Sequence, residues 1–128
     1  MEVFKTPGAI SWSELITTDP AAAADFYAKL FGWNVLPPNE AMGGYRIVNV
    51  GEAGIGGIMA CPEGAPAAPP HWGCYVTVTN ADETAQRCSA LGGKVLMPAM
   101  DIPGVGRMVV LQDPQGAVIS AIAYAMPS

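Results

Sequence analysis

The chain has 128 residues, of which 51% are apolar and only 13% charged, and its formal net charge is −5. That length suits one compact domain or two small modules sharing a core, and so large an apolar share argues against disorder. Six scattered Lys and Arg make no basic patch, which argues against nucleic acid and anionic membrane as partners.

No apolar run is long enough to span a bilayer, and "MEVFKTPGAISW" lacks the basic start and apolar stretch of a signal peptide. Three cysteines, Cys61, Cys74 and Cys88, show no CxxC spacing. They are expected to be free thiols, buried or half-buried, in a reducing cytoplasm rather than parts of a disulfide framework or zinc site.

Taken in chain order, "ISWSELITT" alternates and predicts a strand. Leu15 and Thr17 share one face, while Trp12, Glu14 and Ile16 share the other. "DPAAAADFYAKLFG" predicts a helix with Asp19 as N-cap, Pro20 at the first helical position and Gly32 as the stop. Phe26, Tyr27, Leu30 and Phe31 fall at helical spacing and are expected to form its buried face. "WNVLP", "YRIVNV" and "GIGGIMA" then read as strands. "CPEGAPAAPP" is too rich in proline for helix or strand and reads as a linker.

"HWGCYVTVT" opens the second half as a strand. Cys74, Val76 and Val78 are expected against a helix, with Gly73, Tyr75 and Thr77 on a wetter face. "NADETAQRCSALGG" predicts a second helix, with Asn80 and Glu83 at capping-box spacing and Gly92–Gly93 as the stop. "KVLMP", "RMVVLQ" and "AVISAIA" follow as strands, broken by the turns "DIPGVG" and "DPQG".

Strand, helix and three strands therefore occur twice. Sliding the first half by 61 positions sets Asp19 on Asn80, Leu15 on Val76 and Gly32 on Gly93. The expected organisation is a single domain over 1–128, with module one at 8–60, the linker at 61–70 and module two at 71–126. A few strands with one helix leave a sheet face uncovered, so neither half closes a core alone. The expected fold is α+β: two βαβββ modules forming a curved mixed sheet, with helices on its convex face and a concave cleft.

Three stretches carry a likeness beyond spacing: "WSELITTDPAAAADFYAKLFGW", "HWGCYVTVTNADETAQRCSALGGKV" and "DIPGVGRMVVLQDPQGAVISAI". Over nearly its whole length the chain resembles the glyoxalase/bleomycin-resistance/extradiol-dioxygenase superfamily, also called vicinal oxygen chelate, and within it a branch of small bacterial glyoxalase-like proteins. The resemblance implies paired βαβββ modules and an active cleft inside the curved sheet. It also implies a divalent metal held by His, Gln or Glu from the first and last strands of the two modules. Those four places fall on Trp12, near Ile58, on Gly73 and on Ser120. None of these is a good ligand for a Lewis-acid cation, so the expected cofactor is none, and the likeness is to the metal-free, small-molecule-binding members.

Seven residues are candidates for ligand contact. Glu14 shares the expected cleft face with Trp12, where an unpaired carboxylate is costly. It serves either ligand binding or proton transfer, or it pairs with Arg46 or Arg107 or lies exposed at the cleft rim. Tyr75 takes Glu14's place in the second half and offers a ring and a hydroxyl. Trp12 forms one wall of a binding pocket or fills the space vacated by the missing metal ligand. Thr77 and Ser120 are small polar groups on the same expected face. Arg107, after "PGVG", offers a donor fork to an anion or pairs with Asp101 or Asp113. His71, the only histidine, lies one strand period before Gly73 and is a candidate at the cleft rim. Serine nucleophilic catalysis is not expected, because nothing places a base beside Ser120. "GEAGIGGIM" lacks the following helix and Lys of a phosphate loop.

Two functions stay open. One is metal-independent binding of a small, partly apolar molecule by a cytoplasmic homodimer. The other is a glyoxalase-like lyase, isomerase or dioxygenase-type enzyme with an atypical site, using Glu14 as base.

Overall fold

The computed structural model describes residues 1–61 and 68–125. Most of the expected linker, residues 62–67, and the end of the expected second module, Met126, lie outside the described residues. The described chain forms eight strands and two α-helices in the order βαβββ–βαβββ, an α+β protein as expected. It divides into two units, Trp12–Gly73 and Met1–Ser11 with Cys74–Ser128, referred to below as the first and second halves. Among the described residues no helix is long and apolar enough to cross a membrane.

The first half contains most of β1 (Ile10–Thr17), then α1 (Pro20–Phe31), β2 (Asn34–Val35), β3 (Arg46–Val50) and β4 (Ala53–Ala60). β1 runs parallel to β4, which pairs antiparallel with β3, and β3 with β2. α1 starts where the sequence says: the Asp19 carboxylate accepts from the Ala22 amide at 3.1 Å, and Gly32 ends the helix in the left-handed region at φ 73°. Leu15, Ile58 and Val48 stand on one face of this sheet and are buried with Ala24 of α1. Ala23, Tyr27, Trp33 and Val35 pack around them.

That core corrects one expectation. Of the four residues assigned to the buried face of α1, only Tyr27 packs on the core, and Phe26, Leu30 and Phe31 are exposed. The small side chains of Ala23 and Ala24 face the sheet instead, which lets the helix lie close to it.

The second half contains β5 (His71–Thr77, from Cys74 onward), α2 (Ala81–Ala90), β6 (Lys94–Ile102), β7 (Gly106–Gln112) and β8 (Val118–Tyr124). β5 is parallel to β8, and β8, β7 and β6 pair antiparallel. Asn80 caps α2 by accepting from the Glu83 amide at 2.9 Å. Ala81, Val109, Leu111 and Ala121 form the buried cluster under α2, joined by Val78 and Cys88. Cys61 and Cys74 are exposed rather than buried, and only Cys88 is half-buried.

The chain start belongs to this second unit. The Gly8 amide donates to the Thr77 carbonyl, the Thr77 amide donates to the Ala9 carbonyl, and the Thr77 hydroxyl donates to the Val3 carbonyl, at 2.8, 2.8 and 2.7 Å.

Candidate functional site

Each sheet has one face under its helix and one face free of it. In the first half the register fixes the helix-free face. Glu14 of β1 sits beside Gly57 of β4, and Ile47 of β3 sits beside Gly57 on its other side. Residues two apart share a face, so Trp12, Glu14, Ile16, Gly57, Met59 and Ile47 stand together, as alternation predicts for the β1 residues.

A residue that the sequence placed only at the start of the strand "YRIVNV", and not among the site candidates, organises this face. Tyr45, immediately before β3, lays its ring over Gly57 in the space a Cβ would fill. The Trp12 indole N–H donates to the Tyr45 hydroxyl at 2.9 Å. The outer edge of the Trp12 ring lies over Gly54, 3.5 Å from where a Cβ would stand. Glycine inside a strand signals close approach by another group, and "GIGGIM" carries that signal for Tyr45 and Trp12. The result is an aromatic wall, Trp12 with Tyr45, on the same face as the Glu14 carboxylate, with all three side chains half-buried.

In the second half Tyr75 and Thr77 share a face, with Ser120 registered beside Tyr75 and Ile122 beside Thr77. Tyr75, Thr77, Met108 and Ile122 are buried. The Thr77 hydroxyl donates to the Val3 carbonyl and so holds the chain start. The Tyr124 and Ser11 hydroxyls are 2.7 Å apart, and Phe4 sets its ring edge-on to Tyr124, with centroids 5.1 Å apart. Burial pushes the Tyr124 phenol above its ordinary pKa, against the Ser11 hydrogen bond, which lowers it.

The remaining two candidates lie elsewhere. Arg107 is registered beside Ala123, on the α2 side of its sheet. Its guanidinium donates twice to Asp82, at 2.8 and 3.0 Å, and once to Asp101, at 3.0 Å. The hydrogen bond from Arg107 holds the Asp82 carboxyl below the usual carboxylate range, and the two carboxylates raise Arg107 in turn. The pairing alternative for Arg107 is therefore the one the structure shows, with Asp101 and with Asp82, which the sequence reading did not name.

His71 does not join the Trp12 face. Its Nδ1 lies 2.8 Å from the Pro69 carbonyl, and the ring lines a groove with Leu15, Thr17 and α1, on the helix side of the first half.

The four places implied for a metal do not fit one. Trp12 points its N–H at Tyr45, Ile58 is fully buried in the α1 core, Gly73 has no side chain, and Ser120 offers only a hydroxyl. Neutral hydroxyls and apolar groups do not replace the water around a divalent ion. Among the described residues no three His, Cys, Asp or Glu side chains gather to hold one.

Two βαβββ modules, each a mixed four-stranded sheet carrying one helix, place the chain among the paired-module α+β proteins. It belongs to the Glyoxalase/Bleomycin resistance protein/Dioxygenase superfamily, whose family profile matches residues 9–120.

Among its relatives is "Putative glyoxylase CFP32" of Mycobacterium tuberculosis, 41% identical over 116 residues, which are 90% of this chain and 44% of that protein. Another is "Anthracycline biosynthesis protein DnrV" of Streptomyces peucetius, 33% identical over 127 residues, 89% of this chain and 46% of that protein. The chain thus spans less than half the length of these two relatives. Methylmalonyl-CoA epimerase from M. tuberculosis shares the fold, with a TM-score of 0.68 at 15% identity, covering 95% of this chain and 92% of that one.

Proposed function

We propose that this chain is a glyoxalase/bleomycin-resistance-like protein that binds a small, partly apolar molecule on the helix-free face of its first half, without the family's usual metal. The observation that carries the reading is the Trp12–Tyr45 pair laid over Gly54 and Gly57, on the face shared with Glu14. Rings fixed by packing and a hydrogen bond offer a flat apolar surface at little entropic cost. A carboxylate on the same face accepts from a hydroxyl or amine of the ligand and orients it. The favoured ligand is therefore an aromatic or other planar molecule with a hydrogen-bond donor at its edge. The reading includes a cytoplasmic homodimer.

The test is calorimetric titration with a panel of hydroxylated and amino-substituted aromatics, antibiotics among them, on protein purified without chelator and assayed for metal. At least one is expected to bind, and Trp12→Ala and Glu14→Ala each to weaken it about tenfold or more. Stoichiometric bound metal, or binding indifferent to both substitutions, overturns the proposal.

A second reading rests on the half-buried Glu14 and on the name of the mycobacterial relative: a glyoxalase-like lyase, isomerase or dioxygenase-type enzyme in which Glu14 moves a proton. Turnover of 2-oxoaldehyde–thiol adducts that falls at least a hundredfold in Glu14→Gln supports it. Turnover unchanged by that substitution removes the base.

A further inference from the structure

The groove that His71 lines is built wholly from the first half, on the α1 side of its sheet and opposite the face of Trp12 and Glu14. Its volume is about 400 Å³, within the range of small-molecule sites. Ala22 and Ala23 keep the helix wall low, and Phe26, Tyr27 and Trp72 supply the rings. Each ring stands nearly at right angles to the next. Phe26 and Tyr27 meet at 83° with centroids 5.0 Å apart, and Tyr27 and Trp72 at 81° and 5.3 Å. The Trp72 indole donates to the Tyr27 hydroxyl at 3.1 Å and fixes that corner. Phe26 stays 58% and Trp72 39% exposed, so both keep ring surface to offer.

The polar groups around these rings are acceptors. Asp19 gives Oδ1 to the Ala22 amide, which leaves Oδ2. The Pro69 carbonyl can only accept, so His71 Nδ1 carries the hydrogen of that bond, and the neutral ring keeps Nε2 as an acceptor. Among the described residues no Lys or Arg lines the groove. The positive end of α1 does not reverse this balance. Pro20 has no N–H, and the Ala22 and Ala23 amides are already taken by the Asp19 carboxylate and carbonyl. A full negative charge thus covers the partial positive one, and few amides remain for an anion.

We propose that this groove binds a small organic cation, an ammonium group carrying an apolar or aromatic substituent. Ring faces attract a cation within about 6 Å of their centroids, and the Asp19 carboxylate adds its charge to theirs. The substituent lies against Leu15 and the alanines of α1. An anion meets the Asp19 carboxylate, and a neutral ligand gains nothing from the charge of the ring faces. The site goes beyond the proposed function and does not depend on it.

Benzyltrimethylammonium is the probe, with phenylacetate and benzyl alcohol as its anionic and neutral counterparts. An NMR titration of the full, isotope-labelled chain reads the α1 amides and the indole N–H signals of Trp12 and Trp72 separately. The expected result is a saturable shift of the Trp72 indole and of the Ala22 and Ala23 amides, at least about threefold tighter for the cation than for either counterpart. Asp19→Asn keeps the cap and removes the charge, and Trp72→Leu removes a ring. Each should weaken binding about two- to fivefold. Trp12→Ala should leave the dissociation constant unchanged. Amide dispersion checks the fold of each variant, and Asp19→Asn, on the surface, carries the test if Trp72→Leu does not fold. The proposal is overturned by the absence of a saturable shift up to about 50 mM, by a response equal for the three probes or stronger for phenylacetate, or by binding indifferent to Asp19→Asn. A shift confined to the Trp12 indole overturns it too, and leaves the Trp12 face standing as the ligand site.

Discussion

Tyr45 and Gly57 show how much one backbone position can decide. Tyr45 lies where any side chain at Gly57 would have to go, so the two cannot both be large. Gly57→Ala should therefore expel the Tyr45 ring and break its hydrogen bond with Trp12, costing about 1–3 kcal/mol by overpacking. In a Tyr45→Ala background the same substitution no longer meets that ring and should cost much less. Denaturant midpoints of the four proteins measure this coupling, and tryptophan emission reports the release of the Trp12 indole. Additive costs would mean that Tyr45 does not rest on Gly57. Alternation alone placed Trp12 and Glu14 on their face, because a strand's period of two is local. Tyr45 was not legible as a partner of Trp12: the strand pattern "YRIVNV" contained it, but it reaches its place only when β3 pairs with β4.

Helix boundaries were legible because caps are local chemistry, whereas the buried side of α1 was not. Both of its stripes are apolar, alanines on one and aromatics on the other. Periodicity finds the stripes but not which one meets the sheet, and close approach to Leu15 and Ile58 favours the small one. The caps themselves yield a comparison. Replacing Asp19 or Asn80 by Ala removes one side-chain acceptor from an amide and should cost about 1 kcal/mol in each helix. The two losses should not be equal. α1 has no other acidic residue in its first turn, while α2 keeps Asp82 and Glu83 there. Asp19→Ala also deletes the acidic charge that complements the N-terminal end of the α1 dipole, leaving only Lys29 at the other end, an added cost of about 0.3–1 kcal/mol that shrinks with salt. Thermal melts at low and high ionic strength separate the parts. Asp19→Asn should keep the cap and lose only the salt-sensitive share.

At the scale of the whole chain, segments distant in sequence meet: residues 3 to 11 pack with Thr77 and Tyr124, although more than a hundred residues separate Phe4 from Tyr124. Contacts at such sequence separation carry a large loop-closure entropy, which slows folding. Nothing in "MEVFKTPGA" announced them, since a short irregular segment has no period to read. Their consequence is a pH dependence whose sign follows from burial. The Tyr124 phenol has a higher pKa folded than unfolded, so the folded chain keeps its proton longer. Its contribution is fully present below the ordinary tyrosine value of about 10 and is lost as pH rises through the folded value. The unfolded chain ionises first and draws the equilibrium towards itself. Urea midpoints measured from neutral pH into the alkaline range should therefore fall for the wild type more steeply than for Tyr124→Phe. At neutral pH that variant should lose the Ser11 hydrogen bond, about 0.5–1.5 kcal/mol, and keep its packing against Phe4. Removing residues 1–9 opens the same phenol to water, so the truncated chain should show a lower midpoint at neutral pH and an alkaline slope close to that of Tyr124→Phe. If the slope survives both changes, another group carries it, and the contacts of Phe4 and Ser11 with Tyr124 have no part in alkaline stability.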